Sequence, residues 1–220
     1  MIGQQIDYTS AVSNIPIGTT LFWPNFTWKE FESLAAQLGD RRDVRLSYDR
    51  GEMEIAMPSP EHEEYVDLIQ DLTRTLVRTL GMRLESRGTA LLKRALQETG
   101  AQPDGCFYIQ HAQQIIGKRA LDLNVDPPPD VVVEVDLSSR SQSKFSIYAT
   151  LGVPEIWLYN GKRFSIYHFD GSGYVAANQS LAFPLLTVEV MTEMLTQSKQ
   201  VGQDETLTTF QQWIGTQRRS

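Results

Sequence analysis

Pro129-Asp130-Val131-Val132-Val133-Glu134-Val135-Asp136 is the stretch from which the fold of this chain is read. β-Branched residues suit the pleated surface of a strand, and the proline just upstream excludes a helical start. The run therefore predicts a core strand. Side chains alternate along it, so Asp130, Val132, Glu134 and Asp136 share one face and Val131, Val133 and Val135 the other. Three carboxylates on one face of a core strand repel one another and lose hydration unless a cation, a lysine or a water-filled cleft receives them. That combination points to a metal site.

Spacing limits which acids can cooperate. Asp130 and Glu134 lie roughly 13 Å apart on one strand at a rise of about 3.3 Å per residue, too far to share an ion easily. Glu134 needs a partner from a neighbouring strand. Asp104 is the natural candidate, because it follows Pro103 and precedes the strand-like run Cys106-Phe107-Tyr108-Ile109. Two hard carboxylates without a local His or Cys cluster suit Mg²⁺ or Mn²⁺ better than Zn²⁺. Structural alternatives stand beside each assignment. Asp104 also reads as a turn aspartate, Asp130 as a cap on the proline loop, Asp136 as a residue beside the site, and Lys144 as a helix-surface lysine. Glu134 inside a valine run is the hardest to explain without function.

The 220 residues suit one compact domain, here residues 21–220 with C-terminal helices, after a flexible N-terminal segment of residues 1–20. A hydrophobic fraction of 41% is ordinary for a globular chain. No apolar run is long enough for a membrane span, the N-terminus lacks a signal pattern, and the single cysteine, Cys106, excludes an internal disulfide framework. The expected location is the cytoplasm, with Cys106 a small core residue. A net charge of -7 argues against a broad nucleic-acid coat but not against a local one. Arg41-Arg42, Lys93-Arg94, Lys118-Arg119 and Arg218-Arg219 are the local basic pairs, and each also reads as ordinary solvated charge.

Working outward, Thr27 caps a helix through about Leu38, with Phe31, Leu34, Ala35 and Leu38 at helical spacing and Gly39 as its stop. Val44–Tyr48 and Glu52–Met57 read as strands joined at Asp49-Arg50-Gly51. Ser59 and Pro60 open the longest helix; Tyr65, Ile69, Leu72, Leu76 and Leu80 form its stripe and Gly81 closes it. Glu61, Glu63 and Glu64 complement the dipole at its start, and His62 among them reads as a hydrogen-bonding or phosphate-facing residue. Strands are expected near Arg83–Ser86, Thr89–Lys93 and Cys106–Gln110, then a loop from Gln113 to Pro129. Ser138–Lys144 leads into a helix to about Leu151, stopped by Gly152-Val153-Pro154. Glu155–Tyr159 and Arg163–Phe169 form a hairpin at Asn160-Gly161, a short strand follows near Tyr174–Ala176, and helices at Val188–Leu195 and Glu205–Ile214 end the chain. This order gives an α/β or α+β fold with a mixed sheet flanked by helices.

Taken together, Pro58-Ser59-Pro60-Glu61-His62-Glu63, Pro103-Asp104-Gly105-Cys106-Phe107-Tyr108-Ile109, Pro129–Asp136, Lys144-Phe145-Ser146-Ile147-Tyr148-Ala149 and Gly152-Val153-Pro154-Glu155-Ile156-Trp157 resemble the Uma-type family of putative restriction endonucleases, within the PD-(D/E)XK nuclease superfamily. The resemblance runs from about Phe22 to Phe169. It implies a restriction-endonuclease-like core and a metal-dependent DNA endonuclease, using Mg²⁺ with Mn²⁺ as a substitute and acting as a homodimer. Asp104 matches the first metal aspartate and Glu134 the acid of the (D/E)XK element, while Glu63 or Glu61 fills the place of a helix glutamate. One departure is plain: Asp136 stands where that element has lysine. Lys144 is then the candidate ammonium, and a catalytically inactive nucleic-acid-binding or assembly module is the alternative function. A hydrolase of small phosphate esters is a third reading, needing the acids but no basic groove.

Overall fold

The computed structural model describes residues 8–39, 41, 43–137 and 144–217. In chain order the elements are α1 (Tyr8–Ser13), β1 (Thr20–Pro24), α2 (Trp28–Leu38), β2 (Arg45–Asp49), β3 (Glu52–Ala56), α3 (Pro60–Leu80), β4 (Glu85–Ser86), β5 (Leu92–Arg94), β6 (Thr99–Ala101), β7 (Gly105–Tyr108), α4 (Ala112–Ile115), β8 (Val131–Val135), α5 (Phe145–Leu151), β9 (Glu155–Tyr159), β10 (Phe164–Phe169), β11 (Tyr174–Ala177), α6 (Val188–Val201) and α7 (Gln203–Gln217).

The local signals place most of these. Thr27 accepts from the Glu30 amide while the Glu30 carboxylate takes the Thr27 amide, a capping box that fixes the start of α2. Ser59 caps α3 by accepting from the His62 amide, Pro60 occupies its first turn, and Gly81 ends it in the left-handed region. Asp49 stands opposite Glu52, leaving Arg50 and Gly51 as a two-residue turn with φ of 45° and 102°. Both angles are positive, as the tight hairpin turn requires, and glycine takes the larger without strain.

Two sheets result. The six-stranded sheet, in the order β11-β10-β9-β8-β7-β4, is mixed: β8 and β9 run parallel across the α5 crossover, and the other pairs are antiparallel. The five-stranded sheet, β1-β3-β2-β6-β5, is antiparallel throughout. The alternation along β8 is as its sequence dictates. Val131, Val133 and Val135 pack with α3, α6 and α7, whereas Val132 faces the opposite way into a cluster with Ile147, Tyr148 and Leu151 of α5. The same cluster holds Leu92 and Ala101 of the five-stranded sheet, so α5 is seated between the two sheets. A third cluster joins α2 to β2 and β3.

Several elements differ from expectation. β1 and β6 carry no alternating signal of their own and exist through non-local pairing, β1 with β3 and β6 between β2 and β5. In β6 a side chain on Gly100 would meet the Lys93 Cβ at 2.9 Å, so the strand depends on a residue of low strand propensity. Within the segment expected to be a flexible leader, α1 buries Val12 against the α2 cluster. The helix α4 interrupts the expected Gln113–Pro129 loop, and α6 and α7 run past their expected ends. Ser138–Ser143, Arg42, Arg218 and Arg219 lie outside the described residues. No described helix is long and apolar enough to cross a membrane.

Candidate active site

Asp104 and Glu134 come together because β7 and β8 are neighbours. Gly105 pairs with Val133, so Asp104, one residue earlier, stands beside Glu134. The Asp104 amide donates to the Val133 carbonyl at 3.0 Å, and its Oδ2 accepts from the Val135 amide at 2.9 Å, a place an ordinary ladder gives to a backbone carbonyl. The carboxylate is thus locked to the strand that bears its partner acid. Both acids are almost wholly buried and both line a cleft of about 140 Å³.

Cations arrive from three other elements. Arg45 of β2, 3% exposed, donates from Nε to Asp104 Oδ1 at 3.2 Å and from Nη2 to Glu63 Oε1 at 3.0 Å. His62, oriented by the α3 cap, places Nε2 at 3.0 Å from Asp104 Oδ2. Its Nδ1 is 3.5 Å from Glu63 Oε1, a charge contact without hydrogen-bond geometry. Lys144, at the start of α5, donates to Glu134 Oε2 at 2.8 Å, and the Tyr148 hydroxyl one turn on donates to Glu134 Oε1.

These contacts set the charge states. Burial, helped by the Asp104 charge, pushes the Glu134 carboxyl up to about 7 against the pull of Lys144 and Tyr148. Burial also acts to raise Asp104, but the His62 hydrogen bond and charge, with Lys144 and Arg45, hold it below the usual carboxylate range. Burial would depress His62, yet Asp104 and Glu63 carry its imidazole up to about 9. Burial would likewise depress the Lys144 ammonium, and Glu134, Asp104 and Glu54 hold it above the ordinary lysine value. At neutral pH the cleft therefore contains a charged Arg45–Asp104–His62 cluster beside a protonated Lys144 and a Glu134 carboxyl that gains and loses its own proton near neutrality.

The expected site residues separate clearly. Asp104, Glu134, Lys144, His62 and Asp136 line one cleft, and Glu63 reaches it through Arg45. Glu61 does not line it and lies 3.5 Å from the Tyr65 hydroxyl, as a helix-start acid would. Asp130 is at the other end of β8. Its carboxylate accepts from the amides of Ile109 and His111 and pairs with the His111 ring, so it is the loop cap of the two readings and not part of the cleft. Arg45 and Tyr148 were not anticipated as site residues. Arg45 had the same signal as Glu134, a charge alternating with core residues in a strand; Tyr148 is buried like any core ring, and nothing in the sequence marks where its hydroxyl points.

Among the described residues no three His, Cys, Asp or Glu side chains converge as a ready metal cage. Mg²⁺ does not require one, since it keeps several waters and is held through one or two carboxylates together with substrate phosphate. Two hard carboxylates side by side in an open cleft fit that ion. Among the described residues, one member of each of three basic pairs is matched by an acid: Arg41 pairs with Asp43, Lys93 with Glu32, and Lys118 with Asp126.

Residues 28–199 match the sequence profile of the Uma2 family, described as putative restriction endonuclease. The chain belongs to the Uma2 family. The resemblance carried by the Pro103-Asp104, Pro129–Asp136 and Lys144–Trp157 segments is thereby borne out. Among solved structures, a putative nuclease belonging to DUF820 from Anabaena variabilis is similar, with a TM-score of 0.53 and 15% identity, covering 77% of this chain and 99% of that one. At that identity the likeness is one of fold, and it agrees with the mixed α/β architecture of this Uma2 member. No curated protein matches the chain.

Proposed function

We propose that this Uma2 protein is a metal-dependent DNA endonuclease that hydrolyses phosphodiester bonds, with Mg²⁺ as its ion and Mn²⁺ as a substitute. The observation that supports it is the convergence of Asp104, Glu134 and Lys144, from two strands and a helix start, on one cleft. Asp104 and Glu134 would hold the ion. Held there, it would supply charge to offset that of a phosphate and to make a water more acidic.

The chain's own residues do the rest. Arg45 and the Val135 amide fix the Asp104 carboxylate, and the Tyr148 hydroxyl fixes Glu134. The Lys144 ammonium, kept protonated by the surrounding acids, orients the attacking water and stabilises charge developing on the phosphate. Its position at Glu134 answers the departure at Asp136: an ammonium reaches the acid from the next helix instead of from two residues along the strand. That favours an active site over an inactive module. Cutting both strands of a duplex calls for two such sites, which a homodimer would supply.

Incubation of supercoiled plasmid and single-stranded circular DNA with the purified chain in Mg²⁺, Mn²⁺ or EDTA tests this reading, beside Asp104→Asn and Glu134→Ala. Metal-dependent nicking abolished in both variants is expected. Absence of cleavage on either DNA, from a folded protein that binds the ion, overturns it.

A further inference from the structure

Asp104 has fewer places to offer an ion than its two oxygens suggest. An ionised carboxylate presents about four acceptor sites. The Arg45 Nε–H takes one on Oδ1, while His62 Nε2 and the Val135 amide take two on Oδ2. The site that remains is on Oδ1, so Asp104 can hold one ion but cannot bridge two. Glu63 is tied to the same guanidinium. Arg45 Nη2 donates to Glu63 Oε1 at 3.0 Å while its Nε donates to Asp104 Oδ1 at 3.2 Å, so one cation spans both acids. His62 closes the group, with Nδ1 at 3.5 Å from the same Glu63 oxygen.

We propose that Arg45 is the resident cation of the Asp104–Glu63 pair and stands where a second divalent ion would have to stand. The site then works with one ion, held by Asp104 and Glu134, and Glu63 is not a metal ligand. This rests on the metal-dependent reading of the cleft and adds the number of ions to it. Two-ion phosphodiester sites set their ions about 3.5–4 Å apart, and Mg²⁺ approaches its oxygens to about 2.0–2.1 Å. An ion touching both Asp104 Oδ1 and Glu63 Oε1 would therefore occupy the gap that the guanidinium already spans. Arg45 does not yield that gap easily. It is buried, and a guanidinium keeps its proton in proteins. A metal can take over from the proton of an imidazolium or a carboxylic acid, but Arg45 has none to give up. A second divalent ion beside it would also meet like charge at short range, where the interior screens weakly. The charge that a second ion would bring is thus built into the chain as Arg45.

Counting ions tests this without catalysis. Mn²⁺ is titrated into the full chain and followed by loss of the free-ion paramagnetic resonance signal, with Mg²⁺ calorimetry beside it. One site per chain is expected. Glu63→Gln is expected to leave that count unchanged and the affinity within about tenfold, whereas Asp104→Asn is expected to abolish binding. Arg45→Ala, checked for its fold by circular dichroism, is expected to gain a second ion, seen in the count and as spin coupling between paired Mn²⁺ ions. Two ions on the unsubstituted chain, whether held through Glu63 or by the other acids of the cleft, Glu54 and Asp136, overturn the proposal. So does loss of the single ion in Glu63→Gln. A folded Arg45→Ala chain that still binds only one ion overturns Arg45 as the occupant of the second place, and if that variant does not fold, the counts on the unsubstituted chain and Glu63→Gln decide. Nicking by a chain that holds two ions leaves the nuclease reading standing and removes only the one-ion site. A folded chain that binds no ion in either titration overturns both.

Discussion

Lys144 Nζ lies 2.8 Å from Glu134 Oε2, although ten residues separate them in the chain. The ammonium is brought by α5, whose packing between the two sheets fixes the start of the helix over the β8 carboxylate. Replacing Lys144 by Met should therefore reduce nicking by about 100-fold or more, the scale of removing one preorganised charge from a hydrolytic site. Lys144→Arg should restore part of it. Plasmid nicking rates under excess metal, with circular dichroism to check the fold, measure this.

Arg45 is the bridge on which the other half of the cleft depends. It is buried and ties Asp104 to Glu63 through two nitrogens of one guanidinium. Arg45→Ala leaves a buried carboxylate short of its partner, and breaking such pairs typically costs about 3–5 kcal/mol. Urea denaturation should show a loss in that range, and Arg45→Lys should recover only part of it, since an ammonium cannot reproduce the two-nitrogen fork.

Ion binding should be visible without catalysis. If Asp104 and Glu134 hold Mg²⁺, the folded chain gains about 2.7 kcal/mol when the ion is at 100 times its dissociation constant. Thermal unfolding should shift upward with Mg²⁺ and return on adding EDTA, and Asp104→Asn or Glu134→Gln should abolish the shift. With Glu134 pushed up to about 7 in the metal-free protein, ion binding below that pH should displace its proton, so apparent affinity should rise with pH up to about 7.

His62 should give the metal-free chain a second pH dependence of stability. Its folded value of about 9 exceeds the ordinary 6.5, so the folded state holds the proton more tightly than the unfolded chain. The stabilisation is fully present below about 6.5 and is lost as pH rises through about 9. Its size is on the order of 3 kcal/mol. Urea midpoints from pH 6 to 9.5 should fall across that window, and His62→Gln should flatten the slope there.

Asp130 serves as the contrasting acid. Losing its bond to the buried Ile109 amide leaves that donor unsatisfied, worth about 1–3 kcal/mol in unmet hydrogen bonding, while the part-exposed His111 amide and ring can turn to water. Asp130→Ala should lower the thermal midpoint while the folded protein retains whatever metal-dependent nicking the unsubstituted chain shows. Loss of nicking in a folded Asp130→Ala protein would place this acid in the chemistry after all.

What the sequence alone determined was local. The valine run made β8, its alternation sent Glu134 to the face opposite Val133, Ser59-Pro60 and Thr27 started their helices, and Arg50-Gly51 turned the β2–β3 hairpin. Each rests on φ/ψ preference, capping or period-two burial, all properties of near neighbours in the chain. Pro103-Asp104 and the Val131–Val135 run were enough to expect Asp104 beside Glu134, because acids on core strands repel one another unless they converge on a common counter-charge. Tertiary structure alone decided which cation answers which carboxylate. Arg45 reaches Asp104 across 59 residues, Tyr148 turns its hydroxyl onto Glu134, and β1 acquires its cleft-facing Phe22 only by pairing with β3. It also sent Asp130, on the same face of β8 as Glu134, to a different task, because the length of a strand separates what its alternation unites. Contacts of this kind are set by packing between distant segments, and no local period in the chain encodes them.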